Sequence, residues 1–269
     1  MKWFLPLTQG QKALIRKDFY QVWKTPMLRN TLLALPAVLM VVMPVGFLVI
    51  ACLAPMKDMN GMEELMALLP QKAKELNERQ MMFYVMTTMM APMLFLMIPL
   101  MSSTVTASGS FVGEKEQGTM ESLLLTPMTV KEIFRAKVEV CVRLSLLVTG
   151  ISLVLFGVTA AVGNMILKMP FWLDWSWLVV IVLLAPALTV FGVVFMVLVS
   201  GRSKSYMEAM QTSGYIVLPL ILLFVGQFTG LFVLGPLALA VLALVIFLLD
   251  YGLFRIASGK FTPEKLLKK

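Results

Sequence analysis

Six long apolar stretches run through this chain of 269 residues and constrain its fold more than any other feature. A helix needs about 20 consecutive apolar residues to cross a bilayer, and its backbone polar groups must be satisfied within the segment. Charged residues make up 14% of the chain, against about 25% in soluble domains. The sequence predicts an all-α polytopic membrane protein with one transmembrane domain over residues 1–269. Its six transmembrane helices are expected near residues 31–54, 81–108, 140–163, 177–200, 213–231 and 235–254.

The lysine and arginine residues are distributed unevenly between the two ends of these spans. Most of the 23 lie on the side of the N-terminus, while Lys57, Lys72, Lys74, Arg79 and Lys168 fall on the other side. Cytoplasmic segments are enriched in these residues, so we expect the N- and C-termini to be cytoplasmic. The net charge of +8 is dispersed along the membrane edges and forms no clustered patch, so we expect no nucleic-acid partner.

Residues 12–25 have the pattern of an amphipathic helix lying in the lipid headgroup plane. Basic and polar residues occupy one face, where they would meet anionic membrane lipid. Thr25-Pro26 should end this interfacial helix before the first span, since a residue before proline avoids helical geometry. A plain basic tail is the alternative, but it does not explain the spacing of the apolar face. That face consists of Ile15, Phe19, Val22 and Trp23.

Residues 55–80 form the first loop on the outer side. Asn60-Gly61-Met62-Glu63 has the composition of a helix start, and Pro70 follows a short apolar run. We expect a small helical hairpin or lid, because the loop is too short for an independent domain.

The second span carries methionines spaced by three or four residues, which places them on one helix face. Packing against neighbouring helices, with no further function, is one interpretation. A pliable wall of a substrate cavity is another, since methionine adapts its shape, and this interpretation makes Met86, Met90, Met93 and Met97 possible cavity residues. Cu(I) ligation by thioethers is a third. The full stripe consists of Met82, Met86, Met90, Met93, Met97 and Met101.

Several kinds of chemistry lack the residues they need. The chain has no histidine, and we find no ionisable group at the centre of a span, no metal site and no catalytic cluster. Nor is there a Gly-rich phosphate loop, so any nucleotide would be used by a partner. Near the span ends, Glu139 is expected to pair with Arg143, and Asp250 with Arg255 or another helix.

The two cysteines should not form a disulfide with each other. Cys52 and Cys141 lie at opposite ends of the membrane in the predicted topology. Both are therefore expected to be small buried apolar residues.

The loop between the second and third spans is a compact polar segment, residues 114–132. Thr119 is expected to cap a short helix with Glu121 in its first turn, and Pro127 to end it. Thr129 and Glu132 form a capping box that opens the next helix. These features predict a short docking helix held between two turns.

This polar segment resembles the signature of the ABC-2 type transporter permeases. The signature is an acidic-basic-acidic run, Gly-Thr, a hydrophobic residue, Glu, a leucine pair and Pro, with a later Glu and Lys. Lys115 replaces the usual arginine, and Ala136 a common glycine. The loop after Ser200 and the basic N-terminal helix also resemble this family. The matching residues are Glu114-Lys115-Glu116, Gly118-Thr119-Met120-Glu121, Leu123-Leu124, Pro127, Glu132 and Lys137.

The resemblance implies the permease subunit of an ABC exporter in a prokaryotic plasma membrane. Such a subunit is not itself an enzyme, binds no cofactor, and works with a second permease, identical or different, and two ABC ATPase subunits that hold ATP and Mg²⁺. Residues 114–132 would then be the coupling segment that contacts the ATPase. The expected contact residues are Glu114, Glu116, Gly118, Thr119, Glu121, Leu123, Leu124 and Pro127.

The sequence is consistent with more than one transported substrate and with other functions. Sparse charge in the spans favours an amphipathic or hydrophobic substrate such as a drug, peptide or lipid. A membrane sensor partnered with an ATPase, a sodium or copper exporter, and a membrane-embedded enzyme are the alternatives.

Overall fold

The computed structural model describes residues 7–53, 76–169, 174–203, 205–229, 231 and 234–260. For Leu124 and residues 258–260 it describes the backbone alone. These residues fold into helices, and the described part of the chain contains no strand. The helices are α1 (Gln9–Lys24), α2 (Pro26–Leu53), α3 (Glu78–Glu116), α4 (Thr119–Leu124), α5 (Val130–Leu167), α6 (Trp175–Ser200), α7 (Tyr206–Phe228) and α8 (Pro236–Lys260).

Six of these helices, α2, α3, α5, α6, α7 and α8, are long and apolar enough to cross a membrane, which confirms the predicted number of spans. Helices α3 and α5 have 39 and 38 residues. At 1.5 Å per residue each is nearly 60 Å long, about twice the hydrocarbon thickness of a bilayer. Both therefore extend beyond the membrane.

Helix α3 is the centre of the bundle and is the most deeply buried of the spans. It packs against α5, α6 and α7, and α8 covers the other side of α6. One apolar core fills the half of the bundle that holds the start of α3, around Phe95, Trp177 and Leu184. A second core lies nearer α4, around Val105, Phe134 and Val194.

Small residues allow α3 and α6 to approach closely. A Cβ added at Gly192 would collide with the Ser103 hydroxyl and lie 3.1 Å from the carbonyl oxygen of Leu100. Hydroxyl groups join α3 to α5 as well, since the Ser102 and Ser145 oxygens are 2.6 Å apart. The Ser145 hydroxyl also donates to the Pro99 carbonyl at 3.0 Å. Small residues and interhelical hydroxyl bonds are the usual means of joining helices in lipid.

Three prolines of the spans follow short π-helical segments. In a regular α-helix, a proline ring clashes with the backbone carbonyl four residues earlier. For each of these three prolines, that carbonyl belongs to the π-helical segment. The wider turn makes room for the ring, and it leaves carbonyls free for other donors. The segments are Val38–Val42, Met86–Met90 and Val180–Leu184, and they precede Pro44, Pro92 and Pro186, respectively.

Helix α1 ends where the sequence predicts. Its last residue is Lys24, Thr25 is extended, and Pro26 is the first residue of α2. Thr8 and Gln11 form a capping box at its start, three residues before the predicted start of the helix. Of the predicted outer loop at 55–80, residues 55–75 lie outside the described part of the chain. Cys52 and Cys141 are not bridged, as predicted.

Candidate functional site

The predicted coupling segment lies at the end of the bundle where α3 ends and α5 begins. Gly118 separates α3 from the short helix α4 and has φ of +69°, a left-handed conformation that glycine adopts without strain. After α4, Thr129 and Glu132 form the predicted capping box and begin α5. The sequence therefore specifies both boundaries of α4 through local backbone chemistry.

Thr119 does not cap α4 with its side chain, contrary to the prediction. The N-cap position is Gly118, and Thr119 is the first residue of the helix. The Thr119 hydroxyl instead donates to the backbone carbonyl of Glu114 at 3.3 Å. With Gly118 in the left-handed turn, the helix starts one residue earlier than predicted, and the threonine hydroxyl faces back toward α3.

A buried charge cluster lies directly behind the coupling segment. The Lys137 ammonium, on α5, is fully buried and lies 2.7 Å from Glu114 Oε2 and 3.6 Å from Asp18 Oδ2. It also donates to the backbone carbonyl of Ser110 at 2.8 Å. Lys17 Nζ is 2.7 Å from Glu114 Oε1 and 3.7 Å from Asp18 Oδ1. The charge cluster (Lys17, Asp18, Ser110, Glu114 and Lys137) thus joins α1, α3 and α5.

The two α1 members of the charge cluster have shifted pKa values. Burial raises the pKa of Asp18 above its usual value, and the neighbouring Lys137 only partly opposes this. Asp18 Oδ1 accepts no hydrogen bond within the described part of the chain. Burial lowers the pKa of Lys17, but the hydrogen bond with Glu114 and the charges of Glu114 and Asp18 outweigh it, so that pKa is raised. The raised pKa of Lys17 means that its charged form is favoured. The raised pKa of Asp18 means that its charged form is disfavoured.

Apolar contacts fix α4 to the same helices. Met120 and Leu123 pack with Leu14 of α1 and with Ile133 and Ala136 of α5. At the far edge of this packing, the Gln11 side-chain amide donates to the backbone carbonyl of Glu132 at 3.2 Å. Together with the charge cluster, these contacts make α1 and the coupling segment one packed unit.

The predicted contact residues divide into an inner and an outer set. Glu114 is only 1% exposed and is bound within the chain, and Leu123 is buried, so neither can meet a partner in this conformation. Leu125 is 88% exposed. The Leu124 side chain lies outside the description. The exposed predicted residues are Glu116, Gly118, Thr119, Glu121 and Pro127, and Leu125, which is not in the predicted set, is exposed beside them.

Glu116 has an internal role as well. Its Oε2 accepts a hydrogen bond from the backbone N–H of Tyr206 at 2.8 Å. Tyr206 is the first residue of α7, whose N-cap is Ser205. Glu116 therefore ties the coupling segment to the start of α7 by satisfying one of that helix's free N–H groups.

The methionine stripe of α3 is partly buried in the packed interior. Met86 and Met93 are buried in the core around Phe95. Met90 and Met97 are half-buried. The cavity in this half of the bundle is lined from α3 by Tyr84 and Thr87, not by these methionines. The described contacts therefore favour packing as the role of Met86 and Met93.

The two predicted ion pairs near the span ends differ in outcome. Arg143 pairs with Glu139, as predicted. Asp250 is buried, and its carboxylate oxygens have no hydrogen-bond partner among the described residues, so the pair with Arg255 does not form. The Arg255 guanidinium instead lies over the Tyr251 ring, 5.0 Å from its centre. Arg255 and Tyr251 are four residues apart on α8 and so share a face, which Asp250 does not.

Sequence reasoning missed the α1 half of the charge cluster. Asp18 is the only acidic residue of α1, on a helix that otherwise carries basic charge. This single acidic residue could have indicated the cluster from the sequence. Asp18 is four residues from Leu14 and four from Val22, so it shares their helix face. The structure shows that Gln11, Leu14, Asp18 and Val22 face the protein. Phe19, predicted to share one apolar face with Val22, is exposed whereas Val22 is buried.

Comparison with known protein families agrees with this architecture. The model of the ABC-2 family transporter proteins matches residues 13–255, from within α1 to within α8. The chain belongs to the ABC-2 family of transporter proteins. No curated protein matches the chain significantly. Membership makes this chain a multi-pass permease subunit, the membrane component of a transporter family whose members generally work with an ABC ATPase.

Proposed function

We propose that this ABC-2 permease is the membrane-spanning subunit of an exporter in a prokaryotic plasma membrane. It would pair with a second permease subunit, identical or different, and with two separate ABC ATPase subunits that bind ATP and Mg²⁺. The observation that carries the proposal is the coupling segment, which presents an exposed surface but is fixed from behind by ion pairs and apolar packing.

The contact surface would be the outward side of α4 and its flanking turns. Glu121 would supply charge and Leu125 an apolar anchor, since both side chains are exposed. Leu125 follows the last residue of α4, and an exposed apolar side chain beside a helix can enter a hydrophobic groove of a partner. Glu114, although part of the family signature, would act indirectly by holding the segment in place.

Movement of the partner would pass to three helices at once. A push on α4 would reach α5 through Ile133 and α1 through Leu14. It would reach α3 through the charge cluster, whose Lys137 and Glu114 join α5 to the end of α3. We propose that this coupled displacement opens a path for an amphipathic or hydrophobic substrate between two permease subunits.

The decisive variants are Glu121→Lys and Leu125→Asp, made singly and together. Each changes an exposed side chain, so folding should be unaffected. We expect binding of the partner ABC ATPase to weaken by about ten-fold or more, as for a hot-spot residue. Permease-stimulated ATP hydrolysis should fall with it. Co-purification and ATPase assays in proteoliposomes measure both effects.

The matched control is Glu78→Lys, the same charge reversal at an exposed site at the opposite end of α3. It should leave both ATPase binding and stimulation unchanged. The docking proposal is wrong if the Glu121→Lys, Leu125→Asp double variant retains full binding and stimulated hydrolysis. Outward movement of a fluorescent short-chain phospholipid or of ethidium in the same vesicles would separately test export of amphipathic cargo.

A further inference from the structure

A cavity of about 230 Å³ lies within one subunit, at the end of the bundle opposite the coupling segment. The start of α3, the end of α5 and the start of α6 enclose it. We propose that this cavity is a binding site for a small neutral amphipathic molecule with one aromatic ring and one hydrogen-bonding group. This site would be separate from any path between two permease subunits, and it does not depend on the exporter proposal.

The wall of the cavity is a rigid aromatic stack. The rings of Phe156 and Trp177 are stacked with centres 4.8 Å apart. Phe95 meets Trp177 edge-on from the other side at 5.6 Å. Such contacts fix ring orientation, and an aromatic ligand would gain from stacking on a face that is already ordered.

A hydrogen bond from α3 holds the same tryptophan in place. The Trp177 indole N–H donates to the backbone carbonyl of Thr87 at 3.0 Å. Thr87 lies in the π-helical segment Met86–Met90, which frees carbonyls from the helical ladder. In the same segment, the Met89 carbonyl accepts from Gln227 of α7. The π-helical segment of α3 therefore positions the aromatic wall. Such segments occur frequently at functional sites.

Asn164 supplies a polar group in the lining that a ligand could use. Within the described part of the chain its side-chain carboxamide makes no hydrogen bond, and the residue is half-buried. A carboxamide at the edge of an apolar cavity can both donate to and accept from the hydrogen-bonding group of a ligand. Among the described lining residues none is charged, so the site favours a neutral ligand over an ion.

The size of the cavity limits the ligand. Pockets for drug-sized molecules measure about 300–1,000 Å³, and this cavity is smaller. The space is open at Gly157, where an added Cβ would meet nothing within 4 Å. A molecule of one ring with a hydroxyl or amide group fits these limits, with its ring on the Phe156–Trp177 stack and its polar group at Asn164.

The test uses the purified full chain in nanodiscs, without an ATPase. Para-fluorobenzyl alcohol and para-fluorotoluene serve as probes, and their fluorine NMR line widths report binding. We expect wild-type protein to broaden both signals. Asn164→Leu should weaken binding of the alcohol by about ten-fold while leaving the toluene unaffected, because only the alcohol uses the carboxamide.

Gly157→Leu fills the cavity and should abolish binding of both probes. Its matched control is Gly150→Leu, which lies on the same helix, has equally open space around it, and does not line the cavity. The proposal is overturned if neither probe is broadened by folded wild-type protein, or if Gly157→Leu and Gly150→Leu behave alike.

A lipid acyl chain is the competing occupant. In a variant whose only tryptophan is Trp177, nanodiscs containing lipids with brominated acyl chains would quench its fluorescence if a chain entered the cavity. Quenching that disappears in the Gly157→Leu background would assign the cavity to lipid and overturn the proposal. Quenching that is weak and equal in both backgrounds is the expected result.

Discussion

Lys137, on α5, joins that helix to α1 and α3 through its side chain. Its ammonium group is buried with two carboxylates and a backbone carbonyl around it, contributed by α1 and α3. A charge in such a place is stable only while its partners remain, since breaking a buried pair leaves an uncompensated charge. The geometry of the coupling segment therefore depends on a side chain that is fully buried and out of reach of a partner protein.

Replacing this lysine should be severely destabilising. Lys137→Met leaves Asp18 and Glu114 with only Lys17, whose side chain is 51% exposed. We expect a loss of about 3–5 kcal/mol in the free energy of unfolding. Thermal unfolding in detergent measures it, with the exposed Lys12→Met as control. Adding Glu114→Gln to Lys137→Met should recover part of the loss, and no recovery would contradict a charge-pairing role.

Asp18 should give the cluster a pH dependence. Because its pKa is raised in the folded state, the folded chain binds more protons than the unfolded chain between the ordinary and the raised pKa. Its contribution to stability is therefore most favourable below about pH 4, and falls as the pH rises through that window. Asp18→Asn removes this fall.

The measurement is the difference in unfolding free energy between Asp18→Asn and wild type across the pH range. It should shift in favour of Asn as the pH rises from about 4, then become constant above the raised pKa. A difference that does not vary with pH would show that Asp18 has no raised pKa in the folded protein.

At the scale of the helices, close approach of α3 and α6 decides how the centre of the bundle is built. Gly192→Ala places a methyl group against Ser103 and the Leu100 carbonyl. We expect a cost of about 1–3 kcal/mol, the usual range for overpacking. Gly214→Ala, on the exposed side of α7 with nothing near its Cβ, is the control and should be neutral or slightly stabilising. Equal thermal stability of the two variants would contradict the proposed close contact.

Helix α1 acts as a part of the coupling segment as well as a surface helix. Its buried face carries polar and charged residues that bind α3 and α5, so it can follow their movement. The sequence indicates the helix and its boundary at Thr25 correctly, because caps and prolines act locally. It does not indicate the buried face, because an amphipathic stripe identifies two faces but not which one meets protein.

At the scale of the whole molecule, the orientation in the membrane is testable with two single cysteines. Ser122→Cys lies on the exposed part of α4, and Glu78→Cys at the exposed opposite end of α3. In a background lacking Cys52 and Cys141, a membrane-impermeant maleimide should label Glu78→Cys in intact cells. Ser122→Cys should be labelled only in inverted vesicles, because basic residues favour a cytoplasmic location for this end. The reverse pattern would overturn the predicted topology.

The number of spans, the short helix between two turns and the ABC-2 family could all be predicted from the order of residues in the chain. Hydrophobic length, glycine and proline conformation, and capping act over a few residues and can be read in order along the chain. Only the tertiary structure decided that Glu114 faces inward while Leu125 faces outward. It also brought Asp18 to Lys137 across 119 positions, and enclosed a cavity between α3, α5 and α6. These features depend on which helix faces meet, and that is set by packing between segments far apart in the chain.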